Sequence, residues 1–214
     1  MKARDYLVFG GIELANENRT SAYASLVRGV ALVSEGCGCS VTDEGPYSNP
    51  EDDDAPWVDP ARSESFDFLG MIAHDIRIDP IPIRSVTPRA RRGATIGSLR
   101  LRHRILSVTA ALIATSSQGM AYGERWVSDV LSGVIIGCAP DEIRLLLACP
   151  EDAAVAQFRT LRRVGIVDGP TSFPIAEMPE CYVQSITFQI AAGIPHLLTD
   201  AEDCLVETIL VGGS

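Results

Sequence analysis

Residues 182–192 alternate without a break, with Tyr182, Gln184, Ile186, Phe188 and Ile190 in one set and Val183, Ser185, Thr187 and Gln189 in the other. A period of two with one mainly apolar set predicts a strand that buries one face and shows the other to solvent. That is the habit of an antiparallel sheet. Further strands are expected at Tyr6–Leu14, broken by the Gly10-Gly11 pair, at Phe66–Met71, Ile76–Ile78 and Ile143–Cys149, and at Leu205–Val211. Leu99–Ile113 reads as one long strand or as a hairpin bending near Arg102 and His103. Two helices are predicted. Ser117–Leu131 sets Met120, Val127, Val130 and Leu131 on one stripe beside Trp126, with Gly133 as its stop. Pro150–Gly165 has Pro150 in its first turn, acids at its start, arginines at its end and Ala154, Val155, Phe158 and Leu161 on one face. Ser21–Val33 fits helix or strand equally. The sum is an α+β chain, mainly antiparallel sheet with two packed helices.

Between these elements lies a stretch that fits neither period. Residues 34–65 carry Gly36, Gly38 and Gly45, four prolines from Pro46 to Pro60 and the acidic run Glu51, Asp52, Asp53 and Asp54. This predicts a long loop or arm without a core of its own, of a length that is usually functional or interface-forming. The remainder, within 214 residues that are 46% hydrophobic, suffices for one well-buried domain. One domain over 1–214 is therefore expected. No apolar stretch approaches the ~18 residues needed to span a bilayer. Asp5 and the Gly10-Gly11 pair interrupt any leader-like start, so an intracellular chain with reduced cysteines is expected.

Charge is unevenly laid out. The net charge is −10. Residues 35–79 hold twelve acids against Arg62 and Arg77, residues 80–110 hold seven arginines and no acid, and residues 168–214 hold seven acids and no base. Segregation of this kind gives surfaces that attract one another between copies. Guanidinium and carboxylate groups pair bidentately, and a head-to-tail contact between unlike surfaces closes into a ring when the rotation permits. The expected subunit interface comprises Arg84, Arg89, Arg91, Arg92, Arg100, Arg102 and Arg104 against Glu51, Asp52, Asp53 and Asp54, with Trp57 beside the acids. The bland alternative is a solvated or internally paired arginine face.

Catalytic chemistry finds little purchase. Cys37 and Cys39 are one residue apart with no second pair to complete a tetrahedral metal site, and the run Glu51–Asp54 lacks the glycine and terminal acid of a calcium loop. His74, His103 and His196 stand in no nucleophile, phosphate-loop or dinucleotide motif. No enzyme activity, cofactor or metal is expected. A nucleic-acid reader would interleave aromatics with its arginines, but residues 80–110 contain none, and the negative net charge opposes non-specific binding, so a nucleic-acid-binding module using the arginine-rich strand is the lesser alternative.

Several segments, in their order, carry a family likeness. They are Gly11–Asn16, Asp54–Pro60, Ser63–Ser65 with Phe68–Gly70, Arg84–Thr87 with Arg91–Gly97, Tyr122–Trp126, Val167–Pro170, and Ile186–Phe188 leading to Ala192–Pro195. Together they span most of the chain and resemble minor tail proteins of phages that infect actinobacteria. The resemblance implies a distal tail protein of a long-tailed phage, forming a six-fold ring at the end of the tail tube. Its neighbours would be the tube protein and the hub or fibres, within a virion assembled in the host cytoplasm. It implies a β-sandwich or barrel like that of the tail-tube protein and an assembly role without catalytic residues; no membrane partner is expected, since no apolar stretch is long enough to span one. Relatives often bear a C-terminal carbohydrate-binding or fibre-attaching domain, and none is evident here. A tube, terminator or connector protein of the same fold is the alternative within that class.

Overall fold

The computed structural model describes residues 2–3, 6–29, 46–80, 83–85, 99–101, 103–134, 141–148, 157–177 and 181–198. Among these residues, ten strands and two α-helices follow one another as β1 (Lys2–Ala3), β2 (Tyr6–Phe9), β3 (Ile12–Asn16), α1 (Glu17–Arg28), β4 (Phe68–Ile78), β5 (Ile83–Ser85), β6 (Leu99–Leu101), β7 (Arg104–Ala114), α2 (Ser117–Leu131), β8 (Glu142–Ala148), β9 (Gln157–Glu177) and β10 (Tyr182–Leu198). Eight strands join one antiparallel sheet in the order β1-β4-β7-β10-β9-β8-β2-β3, and β5 and β6 form a separate ribbon. The class is α+β, as the sequence predicts.

The alternation in β10 is the sheet's main organiser. Ile186, Phe188, Ile190 and Ala192 are buried and lie opposite Ala110, Val108, Leu106 and Arg104 of β7. At one end of the sheet order, β3 lies against β4, so the sheet curls around the core in a barrel-like manner. The Gly10-Gly11 pair turns the predicted broken strand into a β2–β3 hairpin, in which Phe9 pairs with Ile12. The two expected pieces between Phe66 and Ile78 are one continuous strand, β4.

Both helices begin on side-chain caps. Asn16 accepts the amide of Arg19 at 3.1 Å, and Ser116 accepts that of Gly119 at 3.0 Å, each quieting an orphan donor of the first turn. Met120, Trp126, Val127, Val130 and Leu131 of α2 are buried, as their spacing predicts.

The expected helix over Pro150–Gly165 is corrected. Residues 150–156 lie outside the described set, and 157–165 run in β9, paired with β8 over Gln157–Arg162 and with β10 from Thr160 onward. Leu161 and Val164, three apart, both join the core. In a regular strand they would face opposite ways, but Arg163 between them has a left-handed φ of 54°, which resets the alternation. A spacing that mimics a helix thus fits a kinked strand, and pairing on both sides outweighs local propensity. The second packed helix is α1, in the segment that fitted either period. The expected strand Leu205–Val211 lies outside the described residues.

Candidate interaction surface

The loop over 46–65 is not coreless. Trp57 is 3% exposed and sits edge-on to Phe68 at 5.3 Å, Trp126 at 5.9 Å and Tyr23 at 6.3 Å, uniting β4, α2 and α1 on one indole. Its Nε1–H donates to the Phe68 carbonyl at 2.8 Å, and its own carbonyl accepts the Tyr122 hydroxyl at 2.6 Å. Gly70 makes this seat possible. With φ of 124°, a Cβ there would stand 2.9 Å from the Trp57 ring and 2.5 Å from the Thr20 hydroxyl. A tryptophan in an otherwise polar, proline-rich stretch is a signal for such an anchor, because its apolar area is too large to leave in water.

A second anchor lies beneath the acidic run. Arg19 of α1 is 8% exposed, and its Nε lies 3.0 Å from Glu13 Oε1. Its guanidinium covers the Tyr47 ring at 4.7 Å and donates to the Asp53 carbonyl at 3.2 Å. Asn16 Nδ2 donates to Glu13 at 3.0 Å and to the Tyr47 hydroxyl at 3.3 Å. Burial is the largest single influence and opposes the Arg19 charge, yet Glu13, Tyr23 and Tyr47 together outweigh it, and the guanidinium pKa ends above its ordinary value. Nothing in the residue spacing announces this cluster, since Glu13, Arg19 and Tyr47 come from a strand, a helix and a distant loop.

The acids are then held from within. Asp53 Oδ2 accepts the Ser48 amide at 2.7 Å, and Asn49 Oδ1 accepts the Asp52 amide at 2.9 Å while its Nδ2 donates to Asp52 at 2.6 Å. Asp53 is half-buried, whereas Glu51, Asp52 and Asp54 are exposed. The loop therefore presents three outward carboxylates on a fixed base.

The arginines separate into different fates. Arg104 is 4% exposed, with Nε donating to the Asp79 carbonyl at 2.6 Å and Nη1 to the Pro195 carbonyl at 3.0 Å. It serves its own chain's interior, which corrects its place in the expected interface, and Trp57 is corrected likewise by its burial in the core. Arg84 and Arg100 lie opposite each other in the β5–β6 ribbon. Arg89, Arg91, Arg92 and Arg102 lie outside the described residues, as do Cys37 and Cys39.

An open depression of about 480 Å³ lies between the 63–65 turn and α2, lined by Arg62, Glu64, Gln118, Ala121, Tyr122 and Arg125. Arg62 pairs with Asp59 at 3.5 Å and Arg125 with Asp129 at 3.6 Å, and the lining holds no nucleophile beside a base. Among the described residues no group of three or more metal-ligating side chains gathers, and no helix is long and apolar enough to cross a membrane.

Two phenols give a pH signature. Burial holds the Tyr23 hydroxyl well above its ordinary pKa, with Asp53 adding to the rise and Arg19 opposing it. Tyr122 is raised by burial and by Asp59 and Glu64, against Arg62. A raised phenol keeps its proton more tightly folded than unfolded, so its stabilisation is complete below about pH 10 and is lost as pH climbs beyond that. In an alkaline absorbance titration Tyr23 and Tyr122 should ionise late, and Tyr23→Phe should flatten the fall in stability above about pH 10. Loss of either proton near pH 10 in the folded protein would contradict this.

No protein-family model matches the chain, and no curated protein matches it. Among solved structures it has a distant likeness to a chain in the tail of an empty GTA particle with C6 symmetry. That likeness has a TM-score of 0.31 and 14% identity, over 60% of this chain and 82% of the other.

Proposed function

We propose that this chain is a structural component of a phage-type tail that assembles with copies of itself as a ring, six-fold and at the distal end of the tail tube. There it joins the tube to hub or fibre proteins of the virion and performs no catalysis. The observation that carries the reading is the acidic loop. Three exposed carboxylates stand on a base fixed by Trp57 and Arg19, so little ordering entropy opposes their docking. The arginine-rich span 80–110, which holds no acid, is its counterpart on the neighbouring copy. The order of family-like segments supports the tail assignment, and the α+β antiparallel fold is of the kind that resemblance implies. A tube, terminator or connector position would use the same contacts.

Sedimentation across protein concentration and salt tests the assembly. Concentrated protein at low salt should form a discrete closed oligomer, and raising salt past the point where the Debye length falls to about 3 Å should return it toward monomer. The double change Glu51→Lys with Asp52→Lys should weaken association by about tenfold or more, with the fold unchanged, since both side chains are exposed. A protein that stays monomeric throughout, and that a subunit-resolution image of the particle finds nowhere in the tail, would end this reading.

A further inference from the structure

Among the described residues, two that are not glycine hold a left-handed backbone, Asp54 with φ of 46° and Arg163 with φ of 54°. That conformation crowds Cβ against the backbone, and strained positions of this kind gather at functional sites. The two carry opposite charges. Both are exposed, and among the described residues neither side chain has a hydrogen-bond or ion-pair partner in its own chain.

The backbone at each position is tethered. Ala55 N–H donates to the Pro50 carbonyl at 3.0 Å and Asp54 N–H to the Glu51 carbonyl at 3.3 Å, the bond pattern of a Schellman turn in which Asp54 takes the place usual for glycine. Arg163 N–H donates to the Asp141 carbonyl at 2.6 Å, and the Arg163 stem lies over Gly193 of β10, where a Cβ would stand 3.3 Å from the Arg163 Cβ. Each charge therefore stands on a fixed base, and little ordering entropy opposes its pairing. Nearby charges lean the same way. Asp54 ends the run that holds exposed Glu51 and Asp52, and Arg163 has Arg144, Arg159 and Arg162 on the same two strands, against Asp141 and Glu142 at the start of β8. The favourable partner for each group is one of opposite sign.

We propose that Asp54 of one copy pairs with Arg163 of the next. The inference rests on the self-assembly reading and adds one fixed ion pair to the contact made by the arginine-rich span. A loop on one copy meets a strand on its neighbour, so the contact is head-to-tail and repeats around a ring. Glycine would suit both backbones, but it would remove both charges, which accounts for the strain at the two positions.

Glycine substitutions separate fold from contact. Arg163→Gly and Asp54→Gly should leave the melting temperature unchanged or raise it by up to about 4 °C, because glycine adopts these φ values freely. Each should nonetheless weaken association about tenfold, read by sedimentation equilibrium of the full chain at low salt. The double variant should lose little more than either single one, since both remove the same contact. Exchanging the charges, Asp54→Arg together with Arg163→Asp, should recover most of the loss. Additive losses, a swap that fails to recover, or glycine variants that associate like the parent overturn the pair and leave self-assembly standing. A clear fall in the melting temperature of Arg163→Gly also overturns it, since that side chain would then serve its own fold. A parent protein that associates at no concentration overturns both.

Discussion

Trp57→Ala should cost about 3–5 kcal/mol of folding stability, the range for deleting a fully buried aromatic. The indole touches three other aromatic rings drawn from two helices and a strand, and its removal also strips the Phe68 carbonyl of a donor. Against a total stability of about 5–15 kcal/mol this is a severe loss. Trp57→Phe keeps part of the packing and should cost less, about 1–3 kcal/mol, chiefly for the unmade hydrogen bond. Urea unfolding midpoints of the two variants provide the check. A loss under about 1 kcal/mol for the alanine variant would mean that the loop is not held as described. Because the acidic run is built on this anchor, Trp57→Ala should also weaken salt-sensitive association, which an exposed loop without an anchor would not do.

Gly123→Ala should destabilise α2, against the usual rule. In a helix interior alanine ordinarily gains about 1 kcal/mol over glycine. A Cβ at position 123, however, would meet two carbons of the Phe68 ring at 2.3 Å, and that ring is fully buried among Trp57 and Trp126. Overpacking of this kind costs about 1–3 kcal/mol, so the net sign reverses. The decisive measurement is a double-mutant cycle. In a Phe68→Leu background the smaller side chain makes room, and Gly123→Ala should become neutral or stabilising there. A gain in the parent protein would show that α2 does not sit this close to β4.

How much of this was legible in the sequence varies by element. The alternation over 182–192, the apolar stripe of α2 and the glycine pair at 10–11 each carry their own period or turn chemistry within a short window, and each appears where that chemistry puts it. Pro150–Gly165 misleads because a helix and a strand reset at Arg163 place Leu161 and Val164 alike. Arg104 is grouped by its neighbours with a basic patch, but its hydrogen-bonding partners are carbonyls 25 and 91 residues away. The segregation of charge along the chain is legible, whereas the anchoring of the acidic run is not, because Arg19, Tyr47 and Trp57 meet only after folding.

The sequence by itself determined the α+β class, the antiparallel habit and the sign of charge along each stretch, since these follow from periodicity and composition that neighbouring residues impose on one another. Only the tertiary structure decided which of the charged and aromatic residues face water. Trp57 and Arg104 are inside and Glu51, Asp52 and Asp54 are outside because packing and carbonyl partners from distant strands set the cost of burying each group.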